Sequence, residues 1–530
     1  MIQKRSCQTL RLALWAPFIL AGCLTSTTFG QNVSGPGPVE ERGATSTDTV
    51  IISKMPERKG PVYALLKRFF CEHHSAVAGA PGSEVWAVPQ SETSRISKRL
   101  QALGMKVAKL KEDWNHVLHR YQGTLARGQQ EMVDSAKATP GTVDVHIMRA
   151  HDAAMTAFAM TSGTPSPSVP AELQPPITKQ APSRIVLPID ATTNVTLERV
   201  RYVSDENGCS WRGVVVETGE SALLMRWNDG HISGVVGYKG HIYMVSGLGG
   251  ELHAVVETDP RKMPPNHGMP KATADPRADT RPDAPVKPEQ AEAEPAPAAA
   301  PFFDSARQAL EAKPIVIDVM LLYTKRAASR YLRPDRLLAM AVEQANDTFR
   351  NSGLGNITLR LVHTQAVDYD ESEGEHFDHL YRMVDGVGPF KDVRTLRDEK
   401  RADIVGLVLE DPSGCGLSTR VAPDADEAYF VVHHSCAAIT ISIAHEIGHI
   451  LGARHDRGFD PRNQPFAYGH GYVNGKWRDI MSYQESCGGC VRIPYWSNPR
   501  VVYNGEPTGT PLEDNARVIL ERAETVSKFR

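Results

Sequence analysis

The chain of 530 residues has almost no net charge: 59 Lys plus Arg against 62 Asp plus Glu leave −3. A near-neutral surface makes no field that gathers nucleic acid or anionic lipid without specific contacts, so no nucleic-acid partner is expected and function must come from local sites. Long apolar runs are also missing. The one membrane-directed stretch, residues 12–22, is broken by Pro17 and is too short to span, because a helix needs about 20 apolar residues to cross a bilayer. Cysteine is sparse, at eight. No thioredoxin-like strand–helix context surrounds Cys487-Gly488-Gly489-Cys490, which argues against a redox motif and for a small bridge closing a loop. What is present, 41% apolar residues, is ordinary globular composition and excludes disorder throughout. At roughly 100 to 200 residues per domain, about three units are expected.

Lys4, Arg5 and Arg11 ahead of the short apolar run read as a secretory signal peptide over residues 1–22. Its end, Leu20-Ala21-Gly22-Cys23, resembles a bacterial lipoprotein box, which implies acylation of Cys23 and a lipid anchor in a membrane surface. Ordinary cleavage nearer Gly30 is the alternative. Either way the chain is expected to be exported, to an outer surface or periplasm as a lipoprotein or into the medium after processing. In an oxidising compartment Cys415, Cys436, Cys487 and Cys490 should form two disulfides, with three connectivities open.

Composition divides the remainder. Residues 163–182 and 268–313 are rich in Pro, Ala and charge and read as linkers. Residues 48–160 read as a small α+β unit, with strands over 84–88 and 105–110 and helices over 91–103 and 143–160; Cys71 with His73 and His74 is read there as a solvated surface. Residues 183–267 carry short β-branched runs punctuated by Gly and by Asn228-Asp229-Gly230, the mark of a small antiparallel β unit. Its histidines, His231, His241 and His253, fall on separate strands and are read as surface or half-buried side chains.

From residue 314 to 530 strands and helices alternate, which predicts an α/β (α+β) domain able to fold alone. Strands are expected over 315–323, 357–367, 404–409, 416–421 and 428–433. Helices are expected over 334–350, 392–400, 438–451 and 512–529. Inside the third helix stands His445-Glu446-Ile447-Gly448-His449, followed by Gly452 and His455. Histidines four apart share a helical face with Cβ atoms about 5–6 Å apart, the spacing at which two imidazoles meet one zinc ion. Gly452 permits the positive φ that ends a helix sharply and returns His455 as a third ligand. Three ligands leave one position open, the pattern of catalytic zinc. Glu446 falls where its carboxylate reaches a zinc-activated water without being a ligand. Chance occurrence of the full spacing is on the order of one in ten thousand for a chain of this size.

His445 to His455 resembles the extended signature of the metzincin metallopeptidases, in their reprolysin-like branch. Arg492 to Pro499, Val319 to Tyr323 and Asp514 to Arg517 resemble bacterial peptidyl-Asp metalloendopeptidases. The resemblance implies a mixed twisted sheet with an active-site helix, one catalytic Zn2+ and a protein or peptide substrate; a monomer is expected. It implies Met481 as the methionine turn beneath the metal and Glu446 as the base that later protonates the leaving amine. Tyr483 is either an oxyanion donor or a packed core tyrosine. Asp456 is read as a structural acceptor. The edge strand from Gly416 should receive an extended substrate antiparallel, with Asp on the leaving side. Arg492 is then either the partner of that Asp or a solvent-exposed arginine. Two other functions stay open, a zinc-dependent amidase acting on cell-wall peptide and a zinc-stabilised binding module without catalysis. Residues 24–267 are expected to act as a propeptide, by steric blocking in preference to a thiolate of Cys209 on the metal. Self-cleavage is expected near Asp275, Asp279, Asp283 or Asp304.

Overall fold

The computed structural model describes residues 47–53, 76–77, 83–89, 106–109, 117–150, 184–205, 208–266, 275–282, 302 and 304–530. The signal peptide, Cys23, the Cys71 region, the expected helix over 91–103 and the linker over 163–182 lie outside them. The chain divides into two compact units, residues 1–117 with 152–183, and residues 118–151 with 184–530. In the first, β1 (Thr47–Ser53), β2 (Ala76–Val77), β3 (Ser83–Pro89) and β4 (Lys106–Lys109) form an antiparallel sheet ordered β2-β3-β1-β4.

The second unit holds two sheets. Strands β5 (Leu118–Arg120), β6 (Thr142–Ala150), β7 (Arg184–Pro188), β8 (Asn194–Asp205), β9 (Gly208–Val215), β10 (Ser221–Trp227), β11 (Ile232–Tyr238), β12 (His241–Gly249) and β13 (Leu252–Thr258) build a nine-stranded antiparallel sheet. Its order is β5-β6-β13-β12-β11-β10-β9-β8-β7. Between β5 and β6 lies α1 (Arg127–Lys137). The helix expected over 143–160 is, in its described part, strand β6. Thr142, Val143, Val145 and Ile147 are β-branched, and the segment pairs along the whole of β13. That pairing also carries residues 118–150 out of the N-terminal unit to which residues 48–160 were assigned. The edge strands meet through Arg120, which donates to the carbonyls of Asp190 and Thr193 at 2.8 Å.

The second sheet is ordered β15-β14-β16-β18-β17, from β14 (Ile315–Thr324), β15 (Ile357–Val367), β16 (Ile404–Leu409), β17 (Gly416–Ser418) and β18 (Tyr429–His433). Its pairings are parallel except that of β17, the antiparallel edge. β16 and β18 are buried throughout, as near-continuous apolar strands covered on both faces should be. Helix α2 (Asp304–Glu311) falls in the expected linker. Helix α3 (Pro334–Asn351), opened by Pro334, packs its apolar face into the main core. Then come α4 (His376–Val384), which was not expected, α5 (Val393–Lys400), α6 (Ser442–Ile450) and α7 (Asn515–Val526). Leu223, Val235 and Met244 of the nine-stranded sheet join the same core as α3. Arg212 with Glu343 and Asp347, and Arg336 with Asp229, add ion pairs across that contact.

Neither residues 275–282 of the expected linker nor residues 263–266 just before it are free chain. Asn266 meets Cys415, Gly416 and Arg492, and Arg277 pairs with Asp385 at 2.9 Å and lies 4.0 Å over the Tyr381 ring.

Candidate metal centre

The helix expected over 438–451 is two pieces. A single turn, Cys436–Ile439, precedes α6, and Ile441 between them adopts φ 58, a costly conformation for a β-branched residue. The disulfide Cys415–Cys436 ties the first turn to the start of edge strand β17, while Cys487–Cys490 closes the short loop before β20 (Val491–Arg492), which pairs with β19 (Trp477–Arg478). Helix α6 ends at Gly452, at φ 101, where an added Cβ would stand 2.8 Å from Val518 and 2.9 Å from Phe466. Only glycine admits that turn.

The turn returns His455 to the face carrying His445 and His449. The Nε2 atom of His455 lies 3.2 Å from that of His445 and 3.0 Å from that of His449, and all three side chains are buried. Nδ1 of His445 is 2.9 Å from the Ile480 carbonyl, and Nδ1 of His449 is 2.9 Å from the Ala453 carbonyl. A carbonyl only accepts, so both Nδ1 atoms carry the proton and both Nε2 atoms present lone pairs inward. Converging lone pairs in a buried space call for a shared cation, and the carbonyls orient two of the imidazoles that would hold it. Among the described residues this is the one group of three or more His, Cys, Asp or Glu with ligand atoms within 4.8 Å of one another. Cys209 is elsewhere, buried in the β8–β9 pairing.

Glu446 sits between α6 and the edge strand. The Ser418 hydroxyl is 2.8 Å from the Glu446 carbonyl and 3.0 Å from its Oε2, and a Cβ on Gly416 would fall 2.4 Å from Oε1. Gly416 thus leaves room for the carboxylate. Ser418 belongs to no motif, and only the alternation along a strand puts it on the same face as Gly416.

Met481 is fully buried under the helix: an added Cβ at Gly448 would stand 3.0 Å from its Sδ and 2.6 Å from the Trp496 ring. Asp456 accepts from the amides of Tyr483 at 2.9 Å and Phe459 at 3.2 Å, as a structural acceptor would. The Tyr483 ring stacks on Phe459 at 3.8 Å and meets the His455 ring edge-on at 4.6 Å, so it is packed and also faces a ligand. Beneath it Asp479, bonded to the Ser482 hydroxyl at 2.5 Å and the Ser497 amide at 3.0 Å, is pushed up to about pH 7 by burial. Arg492 is only part-exposed. Its guanidinium donates to the Thr440 carbonyl at 2.8 Å and to Asn266 Oδ1 at 2.9 Å, with Glu446 and Tyr483 in electrostatic range, and burial pushes its pKa down to about 10. It is therefore cationic at neutral pH.

Inward imidazole lone pairs beside a carboxylate, at a sheet edge that can pair with an extended chain, define a metal-dependent peptidase. Comparison with known proteins agrees. The model of metallo-peptidase family M12, of reprolysin type, matches residues 313–497. A peptidyl-Asp metalloendopeptidase of Xanthomonas campestris is 34% identical over 314 residues, covering 58% of this chain and 70% of the relative. Another, from Stenotrophomonas maltophilia, is 31% identical over 422 residues, covering 76% and 91%. Among solved structures, metalloproteinase-II of Bacteroides fragilis is 13% identical with a TM-score of 0.33, over 64% of this chain and 90% of that one, a likeness too loose to argue from. The chain belongs to the peptidyl-Asp metalloendopeptidase family, bacterial metallopeptidases of metzincin type, and is a metalloendopeptidase.

Proposed function

We propose that the chain is an exported zinc endopeptidase that cuts before aspartate, with His445, His449 and His455 as ligands, Glu446 as general base and Arg492 as the partner of the substrate's carboxylate. The observation that carries this reading is the Glu446 carboxylate, held by Ser418 between three inward imidazoles and the edge strand. A zinc ion bound there supplies a Lewis acid that acidifies water and polarises the scissile carbonyl. Glu446 takes the proton of the attacking water and returns it to the leaving amine. β17 pairs with the extended peptide through backbone hydrogen bonds. Tyr483, beside His455, donates toward the developing oxyanion. Arg492 selects aspartate through charge-assisted hydrogen bonds. Upstream, Cys23 carries the lipid anchor and residues 24–267 act as a propeptide that keeps the enzyme latent.

Glu446→Gln should keep one equivalent of zinc and the native circular dichroism while losing casein hydrolysis by about two to four orders of magnitude. Near wild-type turnover with zinc in place would sink the mechanism. Digestion of peptidoglycan but not casein by the wild type would turn the reading toward a cell-wall amidase. Arg492→Ala should lose its preference for Asp over Ala peptides, and an unchanged preference would remove Arg492 from the specificity site.

A further inference from the structure

After β13 the chain makes a 3-10 turn, Pro260–Lys262, and then reaches the start of β17. Pro264 and Pro265 lead to Asn266, where the Cys415 amide donates to the Pro265 carbonyl at 2.7 Å and the Gly416 amide to the Asn266 carbonyl at 3.2 Å. The Gly416 amide is the first backbone donor on the open side of the edge, because the Cys415 carbonyl and the Thr419 amide, of the other parity, bond toward β18. Gly416 is also the residue pressed against Glu446, so Asn266 stands one residue from the proposed base. Its side chain turns into a cavity of about 310 Å³ lined by Thr440, Ile441, Gln484 and Cys490, with Arg492 on its wall. There Asn266 Oδ1 takes the bond from the Arg492 guanidinium at 2.9 Å.

We infer that Asn266 is a built-in surrogate for the substrate's aspartate: it fills the pocket of Arg492 with an oxygen of the same reach and no charge, while its carbonyl takes the first backbone donor of the edge, the Gly416 amide. This rests on the reading of Arg492 as the aspartate partner and adds what occupies that partner before substrate arrives. Asparagine matches aspartate atom for atom, but its neutral amide binds a guanidinium less strongly than a carboxylate does. The surrogate is therefore displaceable by the real residue. Chain polarity explains why it is not cut. The Cys415 amide bonds the Pro265 carbonyl and the Gly416 amide the Asn266 carbonyl, so the two segments run side by side in the same sense. Pro265–Asn266 thus runs in the direction of β17, opposite to the antiparallel course expected of a substrate.

The test uses full-length, zinc-loaded protein whose integrity is checked by mass spectrometry, with a fluorogenic Asp peptide and amide hydrogen exchange at Cys415 and Gly416. Asn266→Ala should raise the initial rate at least about 10-fold and speed exchange of both amides, because a charged-group hydrogen bond of this kind accounts for about a tenfold change in occupancy. Asn266→Asp should leave the rate at or below wild type, since a carboxylate grips Arg492 harder. A rate in Asn266→Ala equal to wild type, or an increase in Asn266→Asp as large as in Asn266→Ala, would overturn the inference. The two readings fail separately. Loss of Asp preference in Arg492→Ala alongside inert Asn266 variants rejects the surrogate alone, whereas retained Asp preference in Arg492→Ala rejects the pocket as well.

Discussion

Ser418 is the residue whose contribution the structure adds to the site. Its hydroxyl reaches both the backbone carbonyl and the carboxylate of Glu446, so it fixes where that carboxylate points. Ser418→Ala should lower kcat about 10-fold, the worth of one hydrogen bond to a charged group, with KM and zinc content unchanged. A loss of zinc in parallel with activity, or no change in kcat, would show that Ser418 is packing alone. The ligands and Glu446 were legible in the sequence because one helix fixes their offsets, and a glycine at the right place announces the return of His455. Contacts made across the fold leave no such trace. Ser418 and Glu446 are 28 positions apart, and Asn266 and Arg492 are 226 apart, so neither pair has a spacing rule. Arg492 was singled out through family resemblance, and the burial of its head group could be known only from the fold.

At the scale of elements, strands with continuous apolar runs were readable to within a residue or two, and β15 and β16 have the expected limits. The active-site helix was not readable in this way, because its apolar pattern runs unbroken across Ile441, where tertiary anchoring breaks it. The disulfides suggest what holds that break. Cys415–Cys436 spans 21 positions and joins the edge strand to the turn before α6, whereas Cys487–Cys490 spans only 3. By loop-closure entropy the first should stabilise by about 3 kcal/mol and the second by about 2 kcal/mol. Beyond that difference, only the first bears on the Gly416–Glu446 contact. Cys415→Ala with Cys436→Ala should therefore lower the unfolding midpoint in urea and reduce kcat/KM together, while the double alanine variant at 487 and 490 should affect the midpoint less. Equal activity in the two variants would show that the first bridge has no part in aligning the edge.

Across the whole molecule, the nine-stranded sheet explains why boundaries drawn from composition missed residues 118–150: they contribute β5 and β6 to a sheet completed by residues far downstream. That sheet also carries an acid sensitivity. His253 is fully buried; its Nε2 accepts the Ile232 amide at 2.9 Å and its Nδ1 lies 3.2 Å from the Glu251 carbonyl. Each partner fixes one nitrogen, so the ring must be neutral, and protonating Nε2 would set two donors against each other. Burial depresses its pKa to about 4; the Glu251 carbonyl and Asp229 oppose the shift, and His231 adds to it. In the unfolded chain the group titrates near 6.5. Between these values the unfolded state binds more protons, so stability present above about pH 6.5 is lost as pH falls toward 4, by about 2 kcal/mol at pH 5. Asp479, raised to about 7, works in the opposite sense over the same range by about as much and would mask the loss in the global stability of the wild type. A paired comparison removes it. His253→Gln keeps an acceptor oxygen for the Ile232 amide without a titrating ring, so amide exchange in β11 to β13 should rise from pH 7 to pH 5 more in the wild type than in the variant, after correction for intrinsic rates. Identical pH dependence in the two proteins would mean that His253 is not the group that loosens the sheet.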